Sequence, residues 1–100
     1  MKITEEIYKK FEHLFPQRHK ARISNIEILN MFLNILEKGE KWSTLGENWH
    51  SIYIRVNRWE KRGILRQIFS YLEKEGIISI KKKISYLDSE CIVFNSEFKN

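Results

Sequence analysis

Over the first three quarters of the chain apolar residues recur at intervals of three and four; after Gly76 they crowd together with β-branched neighbours. The first pattern is the period of a helix with one buried side, and the second favours extended backbone. Ile7, Tyr8, Phe11, Leu14 and Phe15 predict a helix opening at Thr4, with Glu5 and Glu6 in its first turn, and running to about Leu14. Pro16 ends it, because the residue before a proline avoids helical geometry. Residues 17–23 read as a basic connector, and Ser24 with Glu27 forms a capping box for a second helix reaching about Lys38. Ile26, Ile28, Leu29, Met31, Phe32, Leu33, Ile35 and Leu36 wrap most of that helix, which makes it the central element.

A short helix is expected at Trp42–Leu45, stopped by Gly46, and Asn48 is the expected cap of the next, Trp49 to Arg62. Trp49, Ile52, Tyr53, Val56 and Trp59 fall on one side of it. Ser51, Ile54, Arg55, Arg58, Lys61 and Arg62 fall on the other, with His50 and Asn57 on the flank. A fifth helix, Ile64 to Glu75, buries Leu65, Ile68, Phe69 and Leu72. Beyond Gly76, residues 77–80 and 84–94 are expected to be extended, with Lys81, Lys82 and Lys83 as a linker between them. The fold class is therefore mainly α: a helix-turn-helix (homeodomain-like) domain over residues 1–76 and a short β-type tail over 77–100.

Charge sharpens this reading. The net charge is +5, and residues 49–66 alone hold Arg55, Arg58, Lys61, Arg62 and Arg66 against Glu60. A concentrated basic face suggests a polyanion partner, where a diffuse excess would suggest only solubility. An α-helix fits the major groove of B-DNA when its outer face is polar and cationic and its inner face is anchored. Trp49 and Trp59 are the expected anchors, supported by Trp42 and Tyr53, and Ile54 is placed to meet a thymine methyl. From this helix alone, a duplex-facing surface and an ordinary solvated basic face read equally well. Arg18, Lys20 and Arg22 form either a phosphate-contacting arm or a solvated connector.

Other chemistry is thinly represented. The single cysteine, Cys91, forms no internal disulfide, and His13, His19 and His50 lack ligand neighbours at metal-binding spacing. No apolar run approaches the roughly 18 residues of a bilayer helix, and no apolar leader is present. A cytoplasmic protein without a membrane partner is expected. Asp88 sits in a strand-like apolar run, where a carboxylate is costly unless paired, hydrogen-bonded or bound to metal; taken alone it reads as a strand-edge or turn residue.

The order Ile3-Thr4, Leu14-Phe15-Pro16, Ile28-Leu29-Asn30, Glu37-Lys38-Gly39, Trp42-Ser43-Thr44-Leu45, Trp49-His50-Ser51-Ile52-Tyr53, Arg58-Trp59 and Gly63-Ile64 resembles the N-terminal domain of bacterial insertion-sequence transposases of the DDE type. That resemblance implies a helical DNA-binding domain ahead of an RNase H-like catalytic domain. It implies double-stranded DNA at element ends as partner, His50, Ser51, Ile54, Arg55, Asn57, Arg58, Lys61 and Arg62 as the contacting residues, and a location at the bacterial nucleoid. Asp88-Ser89 matches the strand carrying the first catalytic acid, with Glu90 where threonine is usual and Gly46 where proline is common. Mg²⁺ would serve a complete family member through three acids. After Asp88 only Glu90 and Glu97 follow, so no metal or cofactor is expected in this chain, and it is expected to be a truncated or split transposase, inactive alone. Two alternatives accompany this reading. One is a fragment that binds a full-length or split transposase through residues 77–94, taken as lacking a partner strand; the other is a small helix-turn-helix regulator.

Overall fold

A computed structural model describes residues 3–16, 23–81, 85–88 and 91–95. Four helices precede a two-stranded antiparallel hairpin, so the architecture is mainly helical, as the hydrophobic spacing requires. Helix α1 spans Glu5–Phe11 and runs on into a 3₁₀ turn, Glu12–Leu14; Thr4 caps it, its Oγ1 accepting from the Ile7 amide at 3.4 Å. Helix α2 spans Asn25–Lys38, and Ser24 Oγ accepts from the Glu27 amide at 3.3 Å. Gly39 closes α2 at φ 67°, a left-handed conformation that is strained for residues with a Cβ.

A 3₁₀ turn at Trp42–Leu45 leads to helix α3, Trp49–Lys61. Asn48 precedes α3 without a side-chain capping bond, unlike the expectation; its backbone lies outside the extended region from which a cap side chain reaches back. Helix α4, Ile64–Lys74, follows after Arg62 and Gly63 alone.

One apolar core joins all of these elements. Phe32 and Leu33 of α2, Val56 and Trp59 of α3, and Leu65, Ile68, Phe69 and Leu72 of α4 are all essentially buried. Each such side chain contributes roughly 1.5–3 kcal/mol by leaving water. The chain before α1 is pinned by a reciprocal amide pair. The Ile3 N–H donates to Asn30 Oδ1 at 2.6 Å, and Asn30 Nδ2 donates back to the Ile3 carbonyl at 3.2 Å. Pro16 turns the chain so that Phe15 enters the core, edge-on to Trp59 at 4.8 Å and against Tyr8 at 5.4 Å.

The segment after Gly76 is part of this core. Strands β1, Ile78–Ile80, and β2, Ile92–Phe94, pair in the register Ile78↔Phe94, Ser79↔Val93, Ile80↔Ile92. Their inward residues Ile78 and Ile92 are buried, as are Cys91 and Tyr86 from the connection, with the Tyr86 ring 5.5 Å from Phe69. The Glu73 carboxylate accepts from the Ile80 amide at 3.2 Å, and Asn95 Nδ2 donates to the Gly76 carbonyl at 2.8 Å, tying the hairpin to the end of α4. The sequence reading of 77–94 as a segment without a partner strand is therefore corrected: it pairs with itself. Lys81 is exposed at the end of β1; Lys82 and Lys83 lie outside the described residues.

Candidate nucleic-acid interface

Helix α3 is amphipathic because its inner and outer residues answer different partners. Ile52 at 4%, Val56 at 0% and Trp59 at 2% exposure face the core. The opposite side presents His50, Ser51, Ile54, Arg58, Lys61 and Arg62 to solvent, while Asn57 is half-buried on its flank. Ile54, 39% exposed, is one of two large hydrophobic side chains standing in water among the described residues. Among the described residues it stands apart from the core cluster. Neither Arg58 nor Arg62 pairs with a carboxylate among the described residues. Two cations one helical turn apart thus share an open face with Lys61 beside them.

Arg55 departs from this group. Its side chain is half-buried: Nη1 donates to the Ile23 carbonyl at 3.0 Å, and Nη2 donates to Asn25 Oδ1. The guanidinium also lies over the Trp59 ring, 5.9 Å from its centre. The physical reason is helical spacing. Arg55 stands four residues before Trp59, about 40° from it around the axis, so its stem follows the tryptophan toward the start of α2. Arg55 joins α3 to α2 and is not one of the outward cations.

The expected anchors also divide. Trp59 holds the inner face, but Trp49 is half-buried, stands apart from the core cluster among the described residues, and meets His50 edge-on at 5.3 Å. It is the first residue of α3. Trp42 and Tyr53 instead form a separate brace. The Trp42 ring stacks on Phe32 at 5.6 Å and meets Tyr53 edge-on at 5.0 Å, fixing the turn against both helices.

Asp88 lies exposed in the connection between the two strands, the turn position that its own residue-level reading allowed, and not on the strand that the transposase resemblance implied. Its amide donates to the Ser85 carbonyl at 3.2 Å and its carbonyl accepts from the Cys91 amide at 3.0 Å, the bonding of successive turns. Among the described residues no three His, Cys, Asp or Glu side chains stand close enough to hold a metal ion. The Mg²⁺ implied by the transposase resemblance has no fitting donor set there. Glu90 and Glu97 lie outside the described residues, as do Arg18, Lys20, Arg22 and His19. His13 is exposed. Among the described residues no helix is long and apolar enough to cross a membrane.

A helical domain that carries a basic, outward helix braced by a short turn is the class of protein these elements define. The family model described as "Putative transposase of IS4/5 family (DUF4096)" matches residues 3–69, and the chain belongs to that family. The matched span covers α1 through most of α4 and includes every residue of the basic helix. No curated protein and no solved structure matches the chain.

Proposed function

We propose that this chain is the DNA-binding portion of an IS4/5-family transposase and that α3 enters the major groove at the ends of a mobile element. The observation that carries the reading is the open face of α3. Arg58, Lys61 and Arg62 stand free of acid partners among the described residues, around the exposed Ile54, on a helix whose other side is locked by Val56 and Trp59. Cations supply affinity by displacing counterions from phosphates, while Ile54, Ser51 and His50 offer apolar and hydrogen-bonding contacts for base edges. Arginine suits either task, since its planar fork matches a phosphate or the O6/N7 edge of guanine.

The reading assigns no catalytic step to Asp88 and routes none through a metal. The interaction-fragment alternative rested on an unpartnered strand in 77–94, and the β1–β2 pairing leaves it without that support. Fluorescence anisotropy with labelled duplexes, one carrying element-end sequence and one scrambled, tests the proposal. Binding should favour the element end, and Ile54→Ala should reduce that preference more than it reduces binding to the scrambled duplex. Equal loss on both duplexes would place Ile54 away from the bases.

A further inference from the structure

Beside the outward face of α3 lies a pocket lined by Pro16, Asn25, Arg55, Arg58, Trp59 and Arg62. Three guanidinium-bearing residues converge there and no carboxylate lines it. Its volume is about 100 Å³, well under the roughly 300 Å³ at which sites for drug-sized ligands begin, so it suits a small anion and not a nucleobase. The Trp59 ring, 2% exposed, is a wall of the pocket and is not available as a stacking platform.

The three arginines differ in freedom. Arg55 is held by the Ile23 carbonyl and Asn25, so its guanidinium is fixed in place. Arg58 and Arg62 are exposed and one turn apart, able to close on a guest from the same side. Ser51 and Ile54 stand earlier along the axis of α3, with Ser51 on almost the same stripe as Arg58 and Arg62 and Ile54 one turn before Arg58.

We infer that this pocket is a binding site for a single phosphate group, gripped jointly by Arg58 and Arg62 with Arg55 as a fixed positioning residue. Resting on the DNA-binding reading above, the guest in the complex is one backbone phosphate of the duplex. The outer face of α3 then divides its work along its length: the Arg58–Arg62 end sets register on the backbone, and the Ser51–Ile54 end reads bases.

Joint grip makes a specific forecast about salt dependence. Each neutralised phosphate contributes about 0.9 to the slope of log affinity against log salt. If both arginines hold one phosphate, R58A or R62A alone should weaken binding several-fold on every sequence yet leave the slope nearly unchanged. The R58A/R62A double variant should lower the slope by about 0.9, not by about 1.8. A slope lower by about 0.9 in each single variant and about 1.8 in the double would overturn the shared site, as would a double variant with an unchanged slope. Both side chains are exposed, so the variants should fold, which circular dichroism verifies. R66A removes an exposed charge outside the pocket and serves as the control for general electrostatics.

A second arm needs no DNA. Inorganic phosphate added to the ¹⁵N-labelled full chain should shift the Arg58 and Arg62 Nε–H signals and the Trp59 indole signal, leaving Arg66 unmoved. Shifts shared equally by Arg66, or no shifts, would overturn the pocket. Phosphate shifts confined to the pocket in a chain without duplex affinity would instead uphold the pocket and overturn the DNA reading.

Discussion

The outer face of α3 and the β1–β2 hairpin both carry residues that invite a chemical role, and the fold treats them in opposite ways. On α3, Arg58, Lys61, Arg62 and Ile54 stay in solvent with their chemistry uncommitted among the described residues. In the hairpin, the residues around Asp88 are spent on packing and turns: Tyr86, Cys91 and Ile92 are buried, and Asp88 contributes its backbone to successive turns. The contrast teaches that a suggestive residue type earns a functional reading only after its neighbours' packing duties are known. Asp88 belongs to a connection that seals the core, while Arg58 and Arg62 belong to a surface that the core merely supports.

The contrast is most strongly tested at Ile92. If the hairpin is integral, Ile92→Ala should lower the stability of the whole helical domain by about 2–5 kcal/mol in urea unfolding, because a buried aliphatic side chain leaves a cavity. A linker-like tail would leave the helical transition in place. A smaller effect sharpens the comparison within α3 itself. Arg55→Ala should lower stability by about 1.5–3 kcal/mol, since it removes charge-assisted hydrogen bonds between α3 and the start of α2. Arg58→Ala, one turn later and exposed, should stay within about 0.5 kcal/mol of the parent in the same melt while losing DNA affinity.

Where local chemistry decides, the sequence was readable. The Thr4 and Ser24 caps, the stop at Gly39 and the buried row Ile52–Val56–Trp59 each follow from spacing within one or two turns. Distant partners were not readable in the same way. Arg55 binds Ile23 and Asn25 from about thirty residues away, and Asn30 clasps Ile3 from across α1. Nothing in the local pattern announces either bond, although the spacing of Arg55 from Trp59 does mark it as a boundary residue. The pairing of Ile78 with Phe94 is hidden for another reason. The connection is too long to carry the two-residue turn signature that identifies a tight hairpin, and its described residues are held by burial of Tyr86 and Cys91 and by turn hydrogen bonds at Asp88.

The central claim is that the open cationic face of α3 is built for duplex DNA. Affinity of the full chain for duplex DNA across a series of salt concentrations tests it most directly. The account predicts binding at low salt whose logarithm falls linearly with log salt, by about 0.9 for each phosphate neutralised, and which weakens in the R58A/R62A double variant. Absence of binding at low salt, or binding indifferent to salt and to those two arginines, would contradict it.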